Sequence, residues 1–448
     1  MNTKIKDAQD RLLNGIAKLA YGPFAYLDFD GTQWLHCPII AHNPLFTLEY
    51  SKCIRILERG QKKGRYIQGT NPFVFFDDFI STKASGLLGI GYLGYNLRHF
   101  SEVFPPSKPT TFPFPKLFFA FFDYYYSINW KHLRITLHAI TKEGAIRGRN
   151  GYKKILNTIN NKEKYWSNEQ RPSHNIVIKF NMTKSMYIHN VQNILDHIYK
   201  GDVYQVNLSR ELFAVINNPK RVFSIITKSY GMPYQAYLHI DNNRQVLLNS
   251  PELFVSISPQ REITTAPIKG TIRRSIENKK DSVLASKLMK SNKDSAEHLM
   301  IVDVERNDLG RICEIGSVKT SNLFGLKTFP GIHHIETVVS GNLLSNLGAF
   351  EAISKIFPGG SITGAPKIMA MNIISELEPT ERNVYTGAFG VIFKKNIRLS
   401  LVIRSAMCFK NTICIPSGGG IVADSNPVLE LKETIIKSQP FLKAIRAE

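Results

Sequence analysis

The sequence predicts a mixed α/β protein with large, mainly antiparallel sheets. Period-two and helical hydrophobic patterns alternate in both halves of the chain, which favours sheets covered by helices over a pure bundle or sandwich. With 448 residues, 43% hydrophobic and 21% charged, the chain can bury a large core, and length alone would allow two or three domains. Internal repeats and low-complexity tracts are absent.

The elements follow in chain order. The amino end, MNTKIKDAQDRLLNGIAKLA, carries charges throughout and does not read as a secretory signal. The glycine-rich run Gly86 to Leu97 lacks the strand–GxGxxG–helix context of a dinucleotide site, so it reads as closely packed backbone. KLFFAFFDYYYSINW is interrupted by Asp123 and too short to span a bilayer, so it predicts a buried strand pair. A polar stretch, Asn160 to Asn175, reads as a linker and divides the chain into regions 1–175 and 184–445. Beyond it, Ile188, Val191, Leu195 and Ile198 keep helical spacing, with Gly201 where a C-cap would lie. Val203 to Arg210 alternates, so that Gln205, Asn207 and Ser209 form one polar, uncharged face, the wall of a solvated cleft or an exposed sheet face.

Charge and cysteine content limit the function classes. The net charge of +21 comes from 57 basic and 36 acidic residues. The basic residues are spread along the chain rather than gathered among aromatics, so a solvated surface is favoured and nucleic-acid binding is a remote alternative. Five dispersed cysteines without metal spacing suit a reducing, cytoplasmic compartment.

Several constellations could carry chemistry. Asp294 and Glu297 are three apart on a helix expected from about Asp294 to Asn307; Glu430 and Glu433 repeat the device on a helix whose first turn holds Pro427. Two facing carboxylate pairs would suit Mg²⁺ with water and an anionic ligand, and two solvated helix faces are the plainer reading. The turn at Thr363 and Gly364, leading into a helix near Pro366, and the small-residue cluster Pro416 to Ser425 offer backbone N–H groups to an anion. Arg404 lies within an apolar strand pattern and calls for a carboxylate, from substrate or from the protein. Lys269, between Ile268 and Gly270 at a tight corner, is either a loop charge or a reactive amine.

NSPELF, PIKGT, AEHLMIVDVERNDLGR, HHIETVVSG, PGGSITGAPK, YTGAFG, VIRSA and GGGIVADSNPVLELKET resemble, in order, the motifs of the chorismate-utilising enzymes. The resemblance covers Lys184 to Ile445 and, more weakly, the amino-terminal half. It implies a fold of two large antiparallel sheets packed face to face with helices outside, like anthranilate synthase component I. Within the family, Gln205 stands where water-using members carry a lysine base, which sets aside the isochorismate and salicylate synthases. P-I-K-G-T resembles the aminodeoxychorismate synthase component I branch, whereas anthranilate synthases, the nearest alternative, typically read P-I-A-G-T. The resemblance implies that Lys269 is a nucleophile toward chorismate, its pKa depressed by burial or by cations such as Arg273 and Arg274. It makes Glu252 the general acid and His334 the residue that orients the leaving hydroxyl. Mg²⁺ would sit between Glu297 and Glu433, with Asp294 and Glu430 mostly through water. Tyr385 and Arg404 would hold the enolpyruvyl carboxylate, and Thr363, Gly364, Gly418, Gly420 and Lys437 would line the carboxylate sites. No glutaminase nucleophile surrounds any cysteine, so ammonia is expected from a separate glutamine amidotransferase subunit. Neither a nucleic-acid nor a membrane partner is expected.

Overall fold

A computed structural model describes residues 11–13, 22–29, 37–102, 104, 107–132, 134–160, 177–329 and 331–447. Most of the expected linker, Asn160 to Asn175, lies outside the described residues. Two sheets of eleven and twelve strands form, and every pairing between their strands is antiparallel. From edge to edge the first sheet contains Lys179–Phe180, Gln205–Val215, Thr412–Ile421, Ser405–Phe409, Arg244–Ser250, Tyr234–His239, Phe24–Phe29, Ile39–His42, Tyr124–Asn129 and Arg134–Ala139, with Gly364–Ala365 added beside Gln205–Val215. The second runs Ile268–Arg273, Ile332–Asn342, Glu262–Ala266, Leu253–Ile257, Asn396–Leu401, Ala388–Phe393, Leu88–Leu93, Leu117–Phe122, Phe46–Tyr50, Ile54–Glu58 and Arg65–Ile67, with Lys319–Phe329 added beside Ile332–Asn342.

The two sequence regions therefore form opposite ends of the same two sheets. The junctions are Phe24–Phe29 against Tyr234–His239 and Leu88–Leu93 against Ala388–Phe393. At the second junction Gly91 faces Gly390, and a Cβ on Gly91 would lie 2.0 Å from the Phe118 carbonyl. The glycine-rich run is thus close-packed backbone, as its composition predicts.

Between the sheets, Leu27, Ala236 and Leu248 pack on Ile90, Phe118 and Phe389. Outside them, helices bury Phe76, Val302 and Ile353 on one sheet and Val222, Ile226 and Phe441 on the other. Alternation places successive side chains of the central strands, such as Leu88–Leu93, Leu117–Phe122 and Ala388–Phe393, in these two kinds of core, which explains their nearly continuous hydrophobic character. The aromatic run departs from a simple strand pair. Leu117–Phe122 and Tyr124–Asn129 are both largely buried, but they lie in different sheets. The chain crosses between sheets at Asp123, which is fully buried and held by the Arg59 and Arg147 guanidiniums. An acid inside an apolar run here marks a change of layer.

Ion pairs also fasten the halves together. Arg98, 1% exposed, makes a bidentate contact with Glu381 at 2.6 and 2.9 Å. All five cysteines are free thiols. Among the described residues no helix is long and apolar enough to cross a membrane.

Breaking a buried ion pair leaves an uncompensated charge, so Arg98→Ala is expected to lower stability by about 3–5 kcal/mol in urea unfolding. The double change Arg98→Met with Glu381→Leu should cost less than either single change. A single-variant loss below about 1 kcal/mol would contradict a structural role for the pair.

Candidate active site

Lys269 lies on the edge strand Ile268–Arg273 of the second sheet, and Gln205 opens the Gln205–Val215 strand of the first. The site forms where these two strands meet. It is closed by the helices Asn292–Gly310, Lys367–Leu377 and Pro427–Arg446.

The direction of Lys269 is set locally. Its strand pairs with Ile332–Asn342 but slips between Lys269 and Thr271, a bulge at Gly270. Gly270 has φ +64°, where a side chain is disfavoured, and a Cβ there would press on Leu288 and Asp294 at 2.9 and 3.2 Å. The bulge turns the Lys269 amine toward Gln205, whose Oε1 accepts a hydrogen bond from Nζ at 3.2 Å. Burial lowers the Lys269 pKa, with Lys437 adding to the effect, while Glu297, Glu252 and Glu433 oppose it. Arg274, expected from sequence to help, is instead paired with Asp281 at 2.8 Å.

Gln205 is fully buried, Ser209 is 5% exposed and Asn207 is half-buried, so this polar face is largely an interior wall. The Nε2 of Gln205 has no hydrogen-bond partner among the described residues. The Thr412–Ile421 strand runs alongside, and its Gly420 gives the Gln205 side chain room, since a Cβ there would approach it to 3.1 Å.

Glu252, 4% exposed, follows the Arg244–Ser250 strand. Its Oε1 accepts the Ser361 hydroxyl at 2.6 Å. Burial pushes its pKa up to about 7; the Ser361 bond and Lys269 oppose the rise, and the charge of Glu305 adds to it. Ser361 lies inside the PGGSITGAPK motif, but sequence reasoning did not single it out. Thr363 is fully buried, its hydroxyl donating to the Gly359 carbonyl at 2.9 Å, and Gly364 pairs with Val206. The following helix begins at Lys367 with Pro366 as its N-cap.

His334 is buried and neutral, its pKa lowered to about 4 by burial and the nearby Arg404. Its Nδ1 lies 2.9 Å from the Thr271 hydroxyl and 3.0 Å from the Gly270 carbonyl; the hydroxyl fits either tautomer, and the carbonyl, which can only accept, assigns the proton to Nδ1. Nε2 is then a lone-pair acceptor, buried and without a partner among the described residues. Arg404 lies between the strands Asn396–Leu401 and Ser405–Phe409 rather than inside one, at φ +48°. No carboxylate pairs with it among the described residues; its Nη1 contacts the Met232 sulfur at 3.9 Å. Burial raises the Tyr385 pKa to about 12, with the Gly418 N–H directed at its oxygen.

The two carboxylate helices bring their acids close to Lys269 and to each other, since the charges of Glu297 and Glu433 both act on the amine and Glu433 acts on Glu297. Asn292–Gly310, capped by Ser291, carries Asp294 and Glu297; Pro427–Arg446, capped by Asn426, carries Glu430 and Glu433. Burial raises Glu297 and Glu430, and the Ser425 hydroxyl donates to Glu430 at 2.7 Å. Against the upward push of burial, Lys437 holds Glu433 below the ordinary carboxylate range, with Nζ 2.6 Å from its Oε1. The same Nζ donates to the Gly418 carbonyl at 2.9 Å.

These residues suit a hard divalent ion by donor type, because all four carboxylates present oxygen. A Cβ on Gly419 would come within 3.3 Å of Glu430 Oε2 and 3.6 Å of Glu433 Oε1, so the glycine keeps a space beside both. Among the described residues, no three potential ligands converge closely enough to hold an ion by themselves. Water and substrate oxygens would have to complete the shell.

Residues 23–443 match the family model described as chorismate binding enzyme. Aminodeoxychorismate synthase component 1 of Escherichia coli is 40% identical over 267 residues, 59% of this chain and 58% of that protein. Anthranilate synthase component 1 of Acetivibrio thermocellus is 29% identical over 439 residues, 93% of this chain and 88% of its own length. The crystal structure of anthranilate synthase component I from Streptococcus pneumoniae superimposes with a TM-score of 0.76 at 27% identity, covering 90% of this chain and 91% of that one.

A desolvated amine with a lowered pKa reacts at lower pH than surface lysines. Competitive labelling with acetic anhydride across pH should give Lys269 a titration midpoint below those of the exposed lysines. A midpoint shared with them would show that the amine is not perturbed.

Proposed function

The chain belongs to the chorismate-binding enzyme family, and on that premise we propose that it aminates chorismate as an aminodeoxychorismate synthase component I. The observation that carries this reading is the half-buried Lys269 amine, 3.2 Å from Gln205 and close enough to Glu252 for the two charges to interact. Gln205 cannot serve as a base, so the nucleophile must arrive already basic, as ammonia does. The number of allylic displacements then decides where nitrogen ends. A single attack by ammonia at C2, with loss of the C4 hydroxyl, leaves nitrogen at C2, the regiochemistry of anthranilate. Attack by a lysine first and ammonia second shifts the double bond twice and leaves nitrogen at C4.

The protein groups divide the work. The Lys269 lone pair forms the C2–N bond while the C4–O bond breaks, and Glu252 gives its proton to the departing oxygen, which leaves as water. Ammonia then forms the C4–N bond, and the C2–N bond breaks with its electron pair returning to Lys269. The surplus proton of the new ammonium restores Glu252. Nε2 of His334 accepts the hydrogen of the C4 hydroxyl and turns an oxygen lone pair toward Glu252. Arg404 and Tyr385 hold the enolpyruvyl carboxylate, while Thr363, Gly364, Gly418, Gly420 and Lys437 line the ring-carboxylate side. Mg²⁺ held by Glu297 and Glu433, with Asp294 and Glu430 around it, would neutralise that carboxylate when bound. Ammonia is supplied by a separate glutamine amidotransferase subunit, and the product serves p-aminobenzoate and folate synthesis.

Chorismate, Mg²⁺ and ammonium should yield aminodeoxychorismate, which an added lyase converts to p-aminobenzoate. Fluorescent anthranilate with pyruvate would instead identify an anthranilate synthase. Lys269→Ala should slow amination by about 100-fold or more, and a lysine adduct seen by mass spectrometry in the parent should vanish. An unchanged rate would make Lys269 a bystander. Loss of a general acid typically costs about 100-fold or more, the fall expected for Glu252→Gln. Full activity in that variant would remove Glu252 from the chemistry.

A further inference from the structure

Glu305 is a second buried carboxyl, close enough for its charge to act on Glu252, and nothing in the chemistry above uses it. It sits on the Asn292–Gly310 helix, 4% exposed. Asp308, one turn on, pairs with Lys367, whereas no cation lies within ion-pair distance of Glu305 among the described residues. Its two oxygens serve two different segments of the site. Oε1 accepts the Gly360 N–H at 3.2 Å, and Oε2 accepts the Thr265 hydroxyl at 3.1 Å. Gly360 immediately precedes Ser361, whose hydroxyl holds Glu252 at 2.6 Å. Thr265 lies four residues before Lys269, on the adjoining strand Glu262–Ala266. The Gly360 turn is pressed onto the helix, because a Cβ there would lie 2.5 Å from Val304 and 3.3 Å from Glu305 Oε1.

We propose that Glu305 is the positioning residue of the proton donor Glu252: it anchors the turn that carries Ser361 and places a second carboxyl behind Glu252, so that the pair retains its last proton until the substrate oxygen takes it. This rests on the reading of Glu252 as the acid. Around Glu252 stand Ser361, Glu305, Lys269 and the Ile268 N–H; around Glu305 stand Asp308, Lys367, Thr265 and the Gly360 N–H. Burial, with Asp308 next, lifts Glu305 to about 7, the same region as Glu252. Two neighbouring carboxyls release their second proton later than either would alone. Removing the Glu305 charge therefore lowers the pH at which Glu252 ionises, and the alkaline limb of the rate profile must move down.

The test is the pH dependence of kcat/KM for chorismate with ammonium as nitrogen source. Glu305→Gln keeps the Gly360 bond through its amide oxygen and the Thr265 contact with its direction reversed, Nε2 donating to the hydroxyl oxygen, and its alkaline limb should move to lower pH by about one unit, a roughly tenfold loss on that side. Glu305→Asp keeps the charge but is too short to reach both partners, so its limb should stay near the parental pH while the rate falls at all pH values. A purely structural residue would lower the rate of the Gln variant evenly across pH, leaving the limb in place, and that result overturns the proposal. If the Gln variant does not fold, an Asp limb displaced to lower pH overturns it equally. An active Glu252→Gln enzyme would defeat the reading of Glu252 itself. An inactive one with an unmoved Glu305→Gln limb defeats only the role of Glu305.

Discussion

The chamber depends on one buried electrostatic hub. Glu378 and Arg382, one helical turn apart in spacing, pair at 2.7 Å with almost no exposure of either side chain. Glu378 Oε1 also receives the backbone N–H and hydroxyl of Ser209, at 2.8 Å each. Arg382 donates to the Ile362 carbonyl at 3.0 Å and the Asn207 carbonyl at 2.5 Å. The pair thereby fixes the strand that carries Gln205 to the turn that carries Ser361 and Thr363. Tyr95 extends the hub across the molecule, since the Arg98 and Arg382 guanidiniums lie 4.6 and 5.1 Å from its ring centre. Buried pairs of this kind add little net stability against apolar replacements, but they tolerate only one arrangement of their neighbours. Here that arrangement sets the position of the Gln205 strand against the Ser361 turn, at the place where the chemistry is proposed.

Burial then acts on opposite charges in opposite directions. The same shortage of water that draws the Lys269 amine toward neutrality draws Glu252 toward its protonated form. An amine–carboxyl set in which both members are neutral is the combination required for nucleophile and acid, whereas in water both would be charged. Glu297 and Glu433 pull Lys269 the other way, so anything that neutralises them favours the free amine. Lys437 already does so in part for Glu433.

Much of the fold was legible because alternation and helix caps are local properties. Gly201 ends its helix at φ +84° and Pro427 occupies the first turn of the last helix, both as their residue types require. The ordered motifs, read as a family resemblance, carried the two-sheet architecture that the comparisons then supported. Properties set by distant neighbours were harder to read. Gln205, Asn207 and Ser209 looked like a wetted face because their partners, Gly418 to Gly420, Glu378 and Arg382, come from the other end of the chain. Asp123 looked like an interruption because nothing local announces a change of sheet. Arg404 read as a strand residue since its neighbours are apolar, and only the fold shows the left-handed turn between two strands. Ser361 was in plain view within a motif, but its importance lies in reaching a glutamate more than a hundred positions away.

The interleaved order of the first sheet has a consequence for biosynthesis. The strand Gln205–Val215 finds its main partner only in Thr412–Ile421, and Arg244–Ser250 waits for Ser405–Phe409. On the ribosome, most of the polypeptide must emerge before those edges can be closed. A nascent chain of this topology must keep long apolar strands apart while translation continues, which makes it slow to fold and a natural client for chaperones. The end of the molecule that holds the candidate site is also the last to be completed, so premature termination yields a chain lacking that site rather than one with a weakened site.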